Sequence, residues 1–347
     1  MKHEIKLSVR TLVEFLLKGG SIDSSGGASF DPERAAEGSR IHRKLQSLGG
    51  GSYDSEIFLS RTDELEGIAY TLEGRADGVF LDGKAITIDE IKTLLLPLED
   101  VGEDFCRAHW GQAMCYGFIY CSKYELDEID IRLTYVHAET MEQKHFIRSF
   151  SLAELSEFYF GLLNAYSKWA RLQQTWEEKR NASIEALHFP FPAYRRGQRE
   201  LAAAVYRTIV NEGRLFCSAP TGIGKTISVL FPAIKAMGEG RCEKLFYLTA
   251  KTVVAEAARS ALAQMCGCGL ALHSIVLTAK DKICFCEETI CNPDSCPYAK
   301  GHYDRVNDAL MDMLTHHDRI TPAVVEAYCR QYRLCPHETA LDAALWA

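Results

Sequence analysis

The sequence from Glu73 to Lys92 reads EGRADGVFLDGKAITIDEIK. Apolar and polar residues alternate on both sides of Asp82-Gly83, a dipeptide typical of tight turns, so this stretch predicts two antiparallel strands joined by a hairpin. Asp77 lies on the first strand. Glu90 and Lys92 lie two residues apart on the second strand, where they share one face. We therefore expect these three side chains to lie close together.

These residue types can support phosphodiester hydrolysis. Two carboxylates, Asp77 and Glu90, can hold Mg²⁺ or Mn²⁺ through oxygen ligands. A neighbouring lysine, Lys92, can orient an attacking water while the metal stabilises the negative charge that develops on the phosphate. The alternative is a hairpin with a solvated Glu–Lys face, which a Glu-x-Lys pattern on its own more often indicates.

Composition sets broad limits. The chain has 347 residues, of which 47% are hydrophobic, and a net charge of −8. The apolar content excludes wholesale disorder, and the acidity argues against a protein that coats nucleic acid non-specifically, although a local basic groove stays possible. No apolar run reaches the roughly 20 residues of a membrane-spanning helix, and we find no signal peptide, so we expect a cytoplasmic protein with no membrane partner.

Four regions follow from the pattern of elements: an α/β domain over residues 1–150, a helical connector over 151–188, a second α/β domain over 189–280 and a cysteine-rich region over 281–347. The first domain reads as two helices, a strand meander, a helix and two strands. In the second domain, strands alternate with helices, which predicts a parallel sheet. Its expected strands are Leu215–Ala219, Lys244–Thr249 and Leu272–Thr278.

The second domain carries a phosphate-binding motif. Residues Ala219 to Thr226 read APTGIGKT, between an expected buried strand and an expected helix. Gly222 and Gly224 let main-chain N–H groups curl around phosphates at the start of a helix. Lys225 would reach the β- and γ-phosphates of ATP, and the Thr226 hydroxyl would bind Mg²⁺.

The cysteines are unevenly placed. None of the thirteen precedes Cys106, whereas Cys284-x6-Cys291-x4-Cys296-x38-Cys335 supplies four thiolates near the end of the chain. In a reducing compartment we expect free or metal-bound thiols instead of disulfides. The spacing leaves a [4Fe–4S] cluster, zinc and unligated buried thiols as alternatives. Cys286 competes with Cys284 as a ligand, and Cys329 competes with Cys335.

The first domain resembles the PD-(D/E)XK nucleases, in particular the RecB/Cas4-like branch. Asp77 matches the family's Asp, and Glu90-Ile91-Lys92 matches its (D/E)-x-K. The resemblance implies catalysis by Asp77, Glu90 and Lys92, and a metal-binding role for His42. It also implies DNA contacts from Gln112 and Tyr116, which form the family's Gln-x-x-x-Tyr pattern. With no cysteine before Cys106, we expect no iron–sulfur cluster in this domain.

From Phe189 the chain resembles the XPD/DinG family of superfamily 2 iron–sulfur DNA helicases, which begin the phosphate loop with Ala as Ala219 does here. The resemblance implies a RecA-like motor, an adenine contact from Gln198 and a DNA-backbone contact from Lys251. It also favours a structural [4Fe–4S] cluster in a cysteine-rich insertion. The ligands that it implies are Cys284, Cys291, Cys296 and Cys335.

Together these features predict an α/β chain in which a PD-(D/E)XK nuclease-like domain precedes an incomplete RecA-like P-loop motor with an iron–sulfur insertion. The family's DEAH-type box does not occur before Ala347, so we expect a fragment that binds nucleotide weakly and does not unwind DNA alone. The expected function is the N-terminal portion of a 5′–3′ ATP-dependent DNA helicase with a metal-dependent nuclease, acting on single-stranded or forked DNA in repair or processing. The alternatives are a DNA-binding module without nuclease activity and a zinc-stabilised nucleotide-binding protein.

Overall fold

The computed structural model describes residues 3–24, 32–48, 50–82, 85–220, 222–250 and 252–347. The strands in these residues are β1 (His3–Ser8), β2 (Tyr53–Leu65), β3 (Ile68–Asp82), β4 (Ala85–Leu94), β5 (Glu128–His137), β6 (Gln143–Ser151), β7 (Ser274–Ile275) and β8 (Arg319–Ile320). The helices are α1 (Val9–Leu17), α2 (Pro32–Leu48), α3 (Arg107–Tyr124), α4 (Leu152–Ala186), α5 (Gln198–Val210), α6 (Lys225–Gly238), α7 (Thr252–Gly267), α8 (Lys280–Ile283), α9 (Val306–His316), α10 (Pro322–Tyr332) and α11 (Pro336–Ala344).

The chain divides into two compact units. The first unit comprises Met1–Ala170 and Glu288–Arg305, and the second comprises Arg171–Glu287 and Val306–Ala347. A mixed six-stranded sheet forms the centre of the first unit, in the order β1-β3-β4-β5-β6, with β2 paired to β3. The mixed α/β character expected from the sequence is confirmed. The predicted domain boundaries remain predictions.

Two strands share one edge of β3. β2 pairs with β3 along nearly its whole length, and on the opposite edge β4 pairs with residues 78–82 and β1 with residues 68–73. β4 then continues beside β5 in parallel, from Thr87 to Leu94. Residues 74–77 of β3 therefore face the point where β4 and β1 part, and Asp77 lies at that point.

The beginning of the chain differs from the sequence prediction, which assigned only helices before Tyr53. Residues His3–Ser8 instead form a parallel strand on the edge of β3, and α1 follows directly. Ile5 and Leu7 alternate with polar residues as a strand requires, but six residues are too few for that pattern to outweigh the helical spacing that follows. Ser8 caps α1, since its Oγ accepts the Thr11 N–H at 2.9 Å.

The core of the first unit lies between the sheet and its helices. The largest fully buried side chains come mainly from the central strands, α3 and α4, and include Tyr70, Leu72, Ile88, Ile119, Ile131, Leu133, Leu155 and Tyr159. α2 packs with Ile41 and Leu45 against Ile91 and Val136. Among the described residues, no helix is long and apolar enough to cross a lipid bilayer.

In the second unit, the parallel sheet expected around the phosphate loop is not formed within the described residues. Leu215–Ala219 and Lys244–Thr249 form no helix or strand, and Phe216 and Leu248 are 94% and 89% exposed. Of the third expected strand, only Ser274–Ile275 pairs, in parallel with Arg319–Ile320. A parallel strand is stable when it pairs with neighbouring strands and when other elements bury both faces of the sheet. An apolar run of sequence does not by itself provide either condition.

Candidate functional site

Asp77 lies on β3 where β4 and β1 separate, and its carboxylate contacts both β4 and α2. One carboxylate oxygen, Oδ2, accepts the main-chain N–H of Ile91 on β4 at 2.7 Å. The other, Oδ1, lies 3.4 Å from Nδ1 of His42 on α2. Both side chains are only partly exposed, His42 at 25% and Asp77 at 17%. The carboxylate is therefore held by the sheet on one side and turned toward an imidazole on the other.

Glu90 is buried beside Asp77 and is only 1% exposed. Its Oε1 lies 2.8 Å from the Lys92 ammonium, and its Oε2 is buried without a hydrogen-bond partner. Burial raises the pKa of Glu90 to about 8, and the nearby Asp77 carboxylate adds to this rise in pKa while Lys92 opposes it. A buried carboxyl oxygen without a partner is costly, and a bound cation would satisfy it.

Lys92 connects Glu90 to α3. Its Nζ donates to Oε1 of Gln112 at 3.1 Å, and Gln112 is only 8% exposed. Tyr116 lies one helical turn beyond Gln112 and is buried, which raises the pKa of its phenol. A Cβ at Gly74 would lie 2.4 Å from the Tyr116 hydroxyl, so the tyrosine packs against bare main chain of β3. Five of the predicted residues thus make contacts in two groups: His42 with Asp77, and Lys92 with both Glu90 and Gln112.

Three residues near this site were missed by the sequence reasoning. Gln46 contacts both Asp77 and Glu56, through a side-chain amide one turn after His42. Arg10 lies at the start of α1; its pKa is raised mainly by its hydrogen bond to Glu14, with smaller contributions from Glu90 and Tyr116. The four-residue spacing of His42 and Gln46 was the available signal for Gln46, and no pattern pointed to Glu56 or Arg10.

The donor chemistry of His42, Asp77 and Glu90 fits a divalent cation, because Glu90 keeps a buried oxygen without a partner. Across the described ranges, however, no three His, Cys, Asp or Glu side chains are grouped closely enough to hold a metal ion as they stand. Glu90 is instead paired with Lys92. Binding a metal here would require these side chains to move.

The phosphate loop has the backbone that its glycines predict. Gly222 and Gly224 have φ values of +84° and +82°, a region that glycine enters without strain, and α6 starts at Lys225. The Lys225 ammonium donates to the carbonyls of Ala219 at 3.0 Å and Pro220 at 2.9 Å. Thr226 is half-buried in the first turn of α6. The loop therefore curls around its own lysine.

Gln198 packs directly against this loop. Its side chain is 3% exposed, and its Oε1 accepts the main-chain N–H of Arg195 at 2.9 Å. A Cβ at Gly224 would lie 2.5 Å from Gln198 Nε2, and Arg195 Nη1 donates to the Gly222 carbonyl at 2.5 Å. The turn from Arg195 to Gln198 is thus built against the loop. Lys251, the predicted DNA contact, lies outside the described residues.

All thirteen cysteines lie in the described ranges, and no disulfide joins any of them there. Of the predicted cluster ligands, Cys291 and Cys296 belong to the first unit, and Cys284 and Cys335 belong to the second, as do the competing Cys286 and Cys329. Each unit by itself holds two of the four predicted ligands. Neither unit alone therefore holds all four predicted ligands.

The part of the cysteine-rich region within the first unit is held by the loop after α1. The main-chain N–H of Ser24 donates to the Cys291 carbonyl at 2.8 Å, and the N–H of Ile22 donates to the Ala299 carbonyl at 3.0 Å. The Gly20 N–H donates to Asp304 Oδ1 at 2.8 Å. We call residues 20–24 together with 288–305 the loop clamp. No sequence pattern predicted this contact.

Comparisons with known proteins give a partial similarity. No protein-family model matches the chain. A stretch of 46 residues is 41% identical to the "Probable ATP-dependent helicase MJ0942" of Methanocaldococcus jannaschii and covers 13% of this chain and 7% of that protein. The "Crystal structure of SSO0001" overlaps 48% of this chain and 78% of that one at 18% identity, with a TM-score of 0.32, which supports no inference. The chain thus has a local similarity to a probable helicase.

Proposed function

We propose that this chain is part of an ATP-dependent DNA helicase that carries a metal-dependent, PD-(D/E)XK-type DNA nuclease domain. The observation that carries the nuclease proposal is the pairing of Asp77 with His42 next to the pairing of Lys92 with Glu90 and Gln112. The local identity to a probable ATP-dependent helicase supports the motor part. The substrate would be single-stranded or forked DNA.

In the proposed nuclease site, His42, Asp77 and Glu90 would hold Mg²⁺ or Mn²⁺. The ion, when bound, supplies a positive charge that stabilises the charge developing on the scissile phosphate. The Lys92 ammonium has three N–H groups; Glu90 and Gln112 accept two of them, which leaves one for the attacking water or a phosphate oxygen. Gln112 and Tyr116 would contact the DNA from α3.

In the proposed motor, Gly222, Gly224, Lys225 and Thr226 would bind the phosphates of ATP with Mg²⁺, and Gln198 would contact the adenine. Lys225 would exchange its two carbonyl acceptors for phosphate oxygens, which are stronger partners because they are charged. The start of α6 adds main-chain N–H groups and the positive end of the helix dipole.

The proposed [4Fe–4S] ligands stay Cys284, Cys291, Cys296 and Cys335, and no step of the proposed function depends on a cluster. Because these four cysteines are divided between the two units, the cluster proposal rests on their residue type and spacing. Broad visible absorption after anaerobic purification would support iron–sulfur. A colourless, zinc-replete protein would instead support a zinc-stabilised nucleotide-binding protein.

A second candidate function is a DNA-binding module that delivers DNA to the motor without cutting it. The observation that favours it is the absence, within the described residues, of a preformed group of three metal ligands. The buried Glu90–Lys92 pair would then be a structural contact.

The test is cleavage of end-labelled single-stranded and forked DNA in Mg²⁺ or Mn²⁺ by the whole chain. Asp77→Asn removes the charge but can still accept the Ile91 N–H, and Asp127→Asn, at an exposed position, is the matched control. The nuclease proposal expects cleavage by the wild type and by Asp127→Asn and none by Asp77→Asn. DNA binding without cleavage by any of the three would favour the binding module, and no binding at all would overturn both.

A further inference from the structure

α2 packs against the sheet of the first unit. Its Ile41 and Leu45 side chains pack against Ile91 and Val136. His42 and Gln46 are four residues apart on this helix, so they project from the same side. A polar contact made by Gln46 therefore acts on the same side of α2 that carries His42.

Gln46 supplies such an interaction at Asp77 itself. Its Nε2 lies 2.9 Å from the main-chain carbonyl oxygen of Asp77 and 3.0 Å from Oε1 of Glu56. A carboxamide nitrogen has two N–H groups, so one is available for each acceptor. The bond to the Glu56 carboxylate is charge-assisted and therefore stronger than a neutral one. One side chain thus ties α2 to β2 and β3.

Glu56 has an unusual main-chain conformation at this point. Its φ is +56°, in the left-handed region that is strained for residues other than glycine. The β2–β3 ladder pairs Ser55 with Gly78 and Ile57 with Ala76, and it omits the pair between Glu56 and Asp77. Strained residues of this kind cluster at functional sites. Here the strain occurs directly opposite Asp77.

We propose that Gln46 is a positioning residue for the metal site. By binding the Asp77 carbonyl and the Glu56 carboxylate, it fixes the register of α2 on β3 and so keeps the His42 imidazole beside the Asp77 carboxylate, at 3.4 Å. The inference rests on the proposed nuclease function. Residues that orient metal ligands typically affect metal affinity by about 10- to 100-fold.

The experiment is a Mn²⁺ titration of the whole chain, with free Mn²⁺ measured by electron paramagnetic resonance. Gln46→Met keeps the length of the side chain and removes both N–H groups, and Gln173→Met on the exposed surface of α4 is the matched control. We expect Gln46→Met to weaken Mn²⁺ binding by about 10-fold or more. Gln173→Met should bind Mn²⁺ as the wild type does.

Combining Gln46→Met with His42→Ala distinguishes a positioning role of Gln46 from a general structural role. If Gln46 acts through His42, then Gln46→Met should cause little further loss of Mn²⁺ affinity in the His42→Ala background. An equal loss in both backgrounds, or no loss in either, would overturn the inference. If Gln46→Met does not fold, Glu56→Ala can replace it, because it removes one acceptor of Gln46 from outside α2. Glu56→Ala should weaken Mn²⁺ binding less than Gln46→Met would, and only in the chain that retains His42. An unchanged Mn²⁺ affinity in Glu56→Ala would overturn the inference.

Failure of the proposed function gives a different result. A wild-type chain that neither binds Mn²⁺ nor cuts DNA would overturn the nuclease proposal and this inference together. A wild type that binds Mn²⁺, with Gln46→Met equal to it, would overturn only the role of Gln46.

Discussion

The carboxylate of Asp77 accepts the main-chain N–H of Ile91 at 2.7 Å. The antiparallel pairing of β4 with β3 ends at Gly78 and Asp89, so beyond that point this N–H has no partner on β3. A buried N–H without an acceptor costs about 1–3 kcal/mol. One carboxylate oxygen of Asp77 accepts this N–H, and the other lies toward His42. Asp77 therefore replaces the missing main-chain partner of Ile91 and is also a candidate metal ligand.

The buried Glu90 predicts a pH-dependent stability of the metal-free chain. Its pKa is raised from 4.5 to about 8 in the folded protein, chiefly by burial. Between these values the folded chain holds a proton that the unfolded chain releases, so stability that is fully present below about pH 4.5 is lost as the pH rises through about 8.

Thermal unfolding in EDTA should therefore show a steeper loss of stability with rising pH in the wild type than in Glu90→Gln. Equal pH slopes for the two proteins would contradict the assignment. Added Mn²⁺ should restore stability at the higher pH, because metal binding favours the ionised carboxylate.

Lys92→Met should reduce DNA cleavage by about 100- to 1,000-fold, the loss typical when one charge-stabilising donor is removed. The reason is that the Lys92 ammonium contacts both Glu90 and Gln112 and has a donor left for the reacting groups. Single-turnover cleavage measures the effect, with Lys123→Met at the exposed end of α3 as control. Unchanged cleavage in Lys92→Met would exclude Lys92 from catalysis.

Gly224→Ala should abolish binding of a fluorescent ATP analogue. A Cβ here would lie 2.5 Å from Gln198 Nε2, at a φ of +82° that disfavours any side chain. Gly213→Ala is the matched control, because the nearest atom to its Cβ is 3.7 Å away. Full nucleotide binding by Gly224→Ala would mean that the contact between this loop and Gln198 is not needed for binding.

The loop clamp should loosen in Asp304→Ala, which removes the acceptor of the Gly20 N–H. A hydrogen bond contributes about 1 kcal/mol, so hydrogen exchange at Ile22 and Tyr303, whose amides bond across the clamp, should quicken by about fivefold. Asp294→Ala, at an exposed position of the same segment, should leave that exchange unchanged. Equal exchange in both variants would show that Asp304 does not hold the clamp.

Short-range sequence patterns predicted the local parts of the candidate site. The alternation around Asp82-Gly83 predicted the antiparallel pair that brings Asp77 next to Glu90, and the two-residue spacing put Glu90 and Lys92 on one face. The glycines of the phosphate loop likewise predicted its main-chain conformation. These features depend on residues close together in the sequence.

Features that depend on distant segments could not be predicted. Ser24 and Cys291 are 267 residues apart, and neither carries a pattern that marks the other as its partner. The strand His3–Ser8 needs the free edge of β3, and the apolar runs at Leu215–Ala219 and Lys244–Thr249 lack such an edge in the described structure. Strand propensity is local, whereas strand pairing is decided by which edges are available.

Anomalous diffraction from crystals of the chain soaked in Mn²⁺ tests the proposed metal site most directly. We predict an anomalous peak bonded to His42, Asp77 and Glu90, and no such peak in Asp77→Asn crystals. An empty site at saturating Mn²⁺, or a peak elsewhere on the chain with none at these three residues, would contradict the proposal that this domain is a metal-dependent nuclease.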